Sequence, residues 1–287
     1  MSKFSVAGLQ LALSDGDNRA AIAAEIAATL RRFPWVDMVL LPELSAFGAD
    51  MRHAEAMPGD TEQFFQAVAR EHGIWLLPGS LYENKDGVVY NTTPVIDPTG
   101  QVVARYRKIY PFHPYERGVA SGREVVVFEV PGVGRFGVSI CYDGWFPELA
   151  RAMVWEGAEV ILHPTMTTTN DRDEELILAR ANAIQNQCYF VDINNAGRLG
   201  NGRSIVVGPS GEVLHQAGEL REVIPVTLDL ERVREVRRDG IKGLGQVLKS
   251  FRDTPFHYAC YNAPGERSPH LDALGELALR PRQGQRN

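Results

Sequence analysis

The chain has 287 residues, of which 44% are hydrophobic and 23% charged. That length can bury a sizeable core without staples, and the composition excludes a disordered or membrane-embedded chain. A formal charge of −6 with no basic stripe argues against a nucleic-acid partner and against docking on anionic membranes.

Short apolar runs alternate with helical patterns along the chain. Phe4–Leu13 reads as a first buried strand. Ser5 and Gln10 interrupt it and a single lysine precedes it, so it lacks the clean apolar core of a signal peptide. No run reaches the ~18 apolar residues of a membrane helix. Asp17 is placed to cap a helix to about Arg32, with Ile22, Ile26 and Leu30 on one face. Val36–Leu41 reads as a buried strand ended by Pro42-Glu43. Glu62–His72 reads as a helix with Phe65, Val68 and Ala69 as its apolar stripe. Ile74–Tyr82, Val88–Ile96 and Val102–Arg107 read as three strands, with turns at Lys85-Asp86-Gly87 and Asp97-Pro98-Thr99-Gly100. Val125–Val130 and Phe136–Ile140 form a hairpin about Pro131-Gly132-Val133-Gly134. Pro147 opens a helix to about Glu156. Glu159–His163 is a strand, Arg172–Gln187 a helix, and Tyr189–Asn194, Ser204–Val207, Val213–His215 and Val223–Leu228 complete the strands. A short helix after Leu230 leads to a Pro-, Gly- and Arg-rich tail from about Phe251. Strand–helix alternation mixed with hairpins predicts an α/β fold with a mixed sheet, or two sheets, covered by helices.

Three cysteines, Cys141, Cys188 and Cys260, are too few and too odd for a disulfide framework, which points to a reducing cytosol. Cys188 and Cys260 sit in apolar or aromatic text and read as packing residues. Cys141 follows a strand and precedes Tyr142-Asp143-Gly144-Trp145-Phe146-Pro147, a turn into a helix. A thiol on such a turn is exposed and near a helix N-terminus, which favours its thiolate; packing is the alternative. Two other chemistry-bearing residues lie just past buried strands: Glu43 after Val39-Leu40-Leu41-Pro42, and Lys108 after Val102–Arg107. Each has a bland reading, a local cap or pair for Glu43 and a solvated strand end for Lys108. Strand ends converge on one rim, so three reactive types there point to one site.

Glu43, Lys108 and Cys141 resemble the Glu-Lys-Cys triad of the carbon–nitrogen hydrolase (nitrilase) superfamily. The matching text is Leu41-Pro42-Glu43-Leu44, Tyr106-Arg107-Lys108-Ile109-Tyr110-Pro111 and Ile140-Cys141-Tyr142-Asp143-Gly144-Trp145-Phe146-Pro147-Glu148. Further matches are His163-Pro164-Thr165, Arg180-Ala181-Asn182-Ala183, Asn195-Ala196-Gly197, and the run from Gly202-Arg203-Ser204 to Pro209-Ser210-Gly211. The resemblance spans about residues 4–230.

The resemblance implies a four-layer α-β-β-α sandwich, with a hydrolase domain over residues 1–250 and an arm over 251–287 that packs on a partner protomer. It implies a homodimer or higher homo-oligomer, and no metal or organic cofactor. It implies that Glu43 takes the proton of Cys141, that the thiolate attacks an amide carbonyl, and that Lys108 and the backbone N–H of Tyr142 hold the oxyanion. Glu116 resembles the family's second glutamate, which orients the lysine and the substrate; a surface salt bridge is the alternative. His113 and His163 read as pocket wall and strand-end packing. The pocket candidates are Phe112, Asp143, Trp145, Met166 and Thr167. Tyr142-Asp143-Gly144 is closest to the short-chain aliphatic amidase and formamidase branch. The omega-amidase branch places an arginine where Trp145 stands, to grip a carboxylate. The expected activity is therefore hydrolysis of a small linear amide through a thioester. Nitrile or carbamoyl hydrolysis, and a binding module that keeps the fold, are the alternatives.

Overall fold

The computed structural model describes residues 3–258, 261 and 268–277. In chain order its elements begin with β1 (Lys3–Gln10), α1 (Arg19–Arg32), β2 (Met38–Leu40), α2 (Asp60–His72), β3 (Trp75–Leu77), β4 (Leu81–Lys85), β5 (Val88–Ile96), β6 (Val102–Arg107) and β7 (Val119–Ala120). There follow β8 (Val127–Val130), β9 (Gly134–Val138), α3 (Pro147–Trp155), β10 (Val160–Thr165), α4 (Arg172–Asn186) and β11 (Tyr189–Asn194). The last are β12 (Ile205–Val207), β13 (Val213–Gln216), β14 (Glu222–Asp229), α5 (Leu230–Asp239), α6 (Val247–Asp253) and α7 (Pro269–Asp272).

The strands form two sheets. One runs β14-β1-β2-β3-β5-β4, with β6 and β7 also paired to β5; the other runs β13-β12-β11-β10-β9-β8. In each sheet parallel strands occupy the centre: β1, β2 and β3 in the first, β9, β10 and β11 in the second. The central strands are apolar nearly throughout, as strands buried on both faces require.

Alternation along the strands sorts side chains into layers. Val6, Met38, Leu40 and Leu77 of the first sheet join Val138, Leu162 and Val191 of the second in one apolar cluster. Ala7, Leu9, Val39, Leu41 and Leu76 point the other way and pack beneath Ile22 and Ile26 of α1 and Phe65 and Val68 of α2. Leu149 and Met153 of α3 and Leu176 and Ala183 of α4 cover the second sheet. The order is helix, sheet, sheet, helix, the expected four-layer sandwich. Each isoleucine of α1 is fully buried, contributing about 1.5–3 kcal/mol by removal from water. The sheets approach closely at Gly8, where a Cβ would lie 2.2 Å from Ile193 Cδ1.

Most elements fall where the sequence pattern puts them, and one correction has a local cause. Ile74–Tyr82 is not one strand but two, β3 and β4. Pro78 cannot donate to a ladder, and Gly79 turns the chain at φ +78°. The helix α6 runs across the expected boundary at residue 250. Within it Phe251 meets Trp155 of α3 edge-on, with ring centroids 6.0 Å apart. Cys260 lies outside the described residues. Among the described residues, no helix is long and apolar enough to cross a membrane.

Gly79 also fixes the turn that carries Glu43. A Cβ there would sit 1.9 Å from the Pro42 carbonyl oxygen. Gly73, which ends α2 at φ +63°, has open space around its Cβ position. Gly79→Ala should therefore cost about 2–4 kcal/mol in denaturant unfolding, against about 1 kcal/mol for Gly73→Ala. Equal losses for the two variants would contradict the close approach.

Candidate active site

The carboxyl ends of β2, β6 and β9 converge on one rim of the sandwich. Glu43 follows β2 by three residues, Lys108 directly follows β6, and Cys141 follows β9 by three. Backbone bonds lock these turns to both sheets. The Glu43 N–H donates to the Thr165 carbonyl at 3.2 Å, and Asn195 Nδ2 donates to the Glu43 carbonyl at 2.9 Å. Thr165 ends β10 and Asn195 follows β11, so a residue of the first sheet is held by the second. The Lys108 N–H donates to the Asn91 carbonyl of β5 at 2.8 Å.

Cys141 opens a one-turn 3-10 helix, Cys141–Trp145, and is itself left-handed at φ +48°. A non-glycine residue in that region is strained and persists only where its neighbours overdetermine it. Asp143 supplies that restraint. Its carboxylate accepts from the Ile140 N–H at 2.9 Å, the Tyr110 N–H at 2.9 Å and the Tyr106 hydroxyl at 2.6 Å. It thereby ties the turn that carries Cys141 to the strand end that carries Lys108.

Lys108 lies between two carboxylates. Its Nζ donates to Glu43 Oε1 at 2.9 Å and to Glu116 Oε2 at 2.8 Å. Lys108 is 1% exposed and Glu43 2%. The turn from Phe112 holds Glu116 in place, since the Phe112 N–H donates to Glu116 Oε2. The Cys141 thiol lies close enough to Glu43 and to the Met166 backbone for each to bear on its ionisation.

These surroundings divide the charges. Burial pushes Glu43 above the ordinary carboxylate range, with the nearby Glu116 adding to it and Lys108 opposing it. Burial also pushes Glu116 upward, but Lys108, the Phe112 N–H and Asn91 outweigh it and hold Glu116 low. Burial would lower Lys108; Glu43, Cys141 and Glu116 outweigh it, and the ammonium is held well above its usual range. Burial, with Glu43 beside it, pushes the Cys141 thiol well up. The resting site therefore holds a neutral thiol beside a carboxylate of raised basicity, with an ammonium within reach. This is how a base is tuned to take a proton near neutral pH. Cys188 is fully buried, and burial pushes its thiol up to about 12, which suits a packing role.

The pocket candidates separate. Trp145 lines a small cavity with Cys141, Gly144, His163 and Glu175. Phe112 stacks on Tyr115, with centroids 4.7 Å apart, and meets Tyr142 at a 55° tilt, with centroids 4.9 Å apart. Met166 packs toward Leu44, Tyr82 and Val119. Asp143 is 1% exposed, and its carboxylate, accepting from three donors, braces the turn. The Thr167 hydroxyl donates to Glu175 and its N–H to Asn194 Oδ1. His163 is buried with Nδ1 2.8 Å from Ser139 Oγ, and burial lowers it to about 4. His113 lies in the Phe112–Glu116 turn, three residues from Glu116.

Two residues of the site escape sequence reasoning. Asn91 in β5 donates from Nδ2 to Glu43 Oε1 at 2.8 Å and to Glu116 Oε1 at 3.2 Å. Its only sequence signal is a polar run, Asn91-Thr92-Thr93, inside a strand that is otherwise apolar toward its end. Glu175 reads as an ordinary first-turn acid of α4, yet it borders the cavity at Cys141.

The sequence model of the family described as carbon-nitrogen hydrolase matches residues 5–238. The chain is 33% identical over 262 residues to the human omega-amidase, covering 83% of this chain and 93% of that protein. A Saccharomyces cerevisiae member of branch 10 of the nitrilase superfamily superimposes with a TM-score of 0.76 at 30% identity, over 83% of this chain and 94% of that one. A cysteine-to-alanine mutant of the amidase from Nesterenkonia sp. AN1, in complex with butyramide, does so with a TM-score of 0.72 at 26% identity, over 82% and 94%. The chain belongs to the carbon–nitrogen hydrolase family of the nitrilase superfamily, and two of these three relatives are named as amidases.

Asn91 favours the ionised form of both glutamates by donating to each. Asn91→Leu should lower kcat/KM about 10- to 100-fold, the loss expected for buried donors to charged groups. It should also move the acid limb of the pH profile upward, because Glu43 loses a bond that favours its carboxylate. An unmoved limb in a correctly folded variant would contradict this.

Proposed function

We propose that the protein is a thiol amidase that hydrolyses the C–N bond of a small linear amide through a thioester at Cys141. The observation that carries this reading is the buried Lys108 held between Glu43 and Glu116, with the left-handed Cys141 turn beside them.

Glu43 removes the thiol proton as the sulfur attacks the amide carbonyl. The developing oxyanion is met by the Lys108 ammonium and the N–H of Tyr142. The first N–H engaged within the 3-10 turn is that of Asp143, bonded to the Ile140 carbonyl at 3.0 Å. Tyr142 precedes it and is therefore the residue to supply an oxyanion donor. Collapse of the tetrahedral species expels ammonia, which takes its proton from Glu43. Glu43 then deprotonates water, the hydroxide attacks the thioester, and the thiolate leaves and regains a proton from Glu43. Amide and water become acid and ammonia, and the enzyme is restored. Glu116 acts through Lys108, keeping it charged and aimed. The residues need no metal or organic cofactor for these steps.

Trp145 supports an uncharged acyl group. It stands at the cavity beside Cys141, where an arginine would be needed to grip a substrate carboxylate. Phe112 adds an aromatic surface at the rim. A second copy of the chain is the proposed partner. Trp155 of α3 and Ile177 of α4 are 68% and 67% exposed on the outer helical layer, and they offer it an apolar face. A reactive thiol with no disulfide partner suits a reducing, cytoplasmic setting.

Ammonia release from a panel of linear amides, nitriles and carbamoyl compounds tests the reading. Amides should be the substrates, and Cys141→Ala and Glu43→Gln should each lower kcat by about 1000-fold or more. The acid limb of kcat/KM should lie above the ordinary glutamate range, with activity lost as pH falls and Glu43 takes up a proton. Preference for nitriles, or full turnover by Cys141→Ala, would overturn the assignment.

A further inference from the structure

The cavity against Cys141 has a wall that the chemistry above does not use. It is formed by Glu175, on the first turn of α4, facing the same space as Cys141 and Trp145. Glu175 Oε2 accepts from Arg172 Nη1 at 3.0 Å and from Thr167 Oγ1 at 2.8 Å. Arg172 is fully buried and also binds Asp192 with both terminal nitrogens, at 2.9 and 3.0 Å. One cation thus faces two carboxylates. Lys108 repeats the pattern across the site, with Glu43 at 2.9 Å and Glu116 at 2.8 Å. Among the described residues, no lysine or arginine lines the cavity itself.

The space is small, about 10 Å³, so an acyl chain reaches it only by displacing its lining side chains, and an anion doing so must give up water with no lining cation to meet it. It also meets a surplus of negative charge, two carboxylates on the one Arg172 guanidinium, poorly shielded by solvent or salt because the groups are buried; burial raises Glu175, and Arg172 opposes that rise. A neutral chain meets neither obstacle, and a cationic one finds a carboxylate already held in place by Thr167 and Arg172.

Resting on the amidase reading, we propose that Glu175 is a specificity-determining residue that excludes amides whose acyl chain ends in a carboxylate and admits neutral or cationic ones. The restriction is one of charge, since specificity can be set by repelling the wrong substrate as well as by attracting the right one. It separates this chain from any relative that acts on the monoamide of a dicarboxylic acid.

Three amides of similar size test the proposal: butyramide, succinamate and β-alaninamide. For the unmodified protein, kcat/KM for butyramide should exceed that for succinamate by about tenfold or more, as one like-charge contact requires. Glu175→Gln keeps a hydrogen-bonding side chain toward Thr167 and removes the charge. It should raise succinamate relative to butyramide by about tenfold and lower β-alaninamide relative to butyramide. Succinamate turned over by the unmodified protein as fast as butyramide would overturn the proposal, whether or not the variant folds. So would a Glu175→Gln enzyme with an unchanged succinamate-to-butyramide ratio. Silence on all three amides is a different failure, because it removes the amidase reading on which the proposal stands.

Discussion

A buried ammonium held between two buried carboxylates is the constraint on which the site depends. Lys108 is as enclosed as any core leucine, and taking it out of water costs several kcal/mol before any partner is counted. Glu43 and Glu116 offset that cost only because both oxygens lie within 3 Å of Nζ. The three groups come from β2, from β6 and from the loop after it, so their meeting requires the first sheet in its observed strand order. The interaction is a demand on the fold more than a source of stability. Removing one partner leaves an uncompensated charge, a loss of about 3–5 kcal/mol in comparable buried pairs.

The same cluster sets the chemistry. Two glutamates share one lysine, and their surroundings drive them apart. Glu116, bound by the Phe112 N–H and by Asn91, stays ionised and keeps Lys108 charged. Glu43, more deeply enclosed, is raised by burial toward the role of a base. Asp143 completes the geometry from the other sheet by fastening the strained Cys141 turn to Tyr106 and Tyr110. Base, ammonium and nucleophile are thus fixed to one another by bonds that cross between the sheets.

Much of this was legible in the chain. Cys141 stands out because a polar, turn-forming text follows an apolar strand, and Glu43 and Lys108 repeat that pattern. Alternation of apolar residues located most of the strands. What was not legible depends on partners distant in sequence. Asn91 looks like a flaw in a strand until Glu43 and Glu116 are placed beside it. Asp143 reads as a pocket residue because it neighbours the nucleophile, yet a 3-10 turn swings its carboxylate back onto Ile140. Glu175 resembles any acid at a helix start, and only the packing of α4 onto the second sheet brings it to the cavity. The split of Ile74–Tyr82 was signalled locally by Pro78-Gly79, but the apolar residues on either side masked it.

The account stands on Cys141 as a nucleophile that carries the acyl group. The most direct measurement is the intact mass of the protein, quenched in acid during turnover of butyramide, followed by mapping of the modified peptide. The account predicts a butyryl adduct on the peptide containing Cys141, absent from Cys141→Ala and much reduced in Glu43→Gln. Turnover with no adduct at any quench time, under conditions where thioester hydrolysis limits the rate, would contradict it. An adduct confined to Cys188 would contradict it equally.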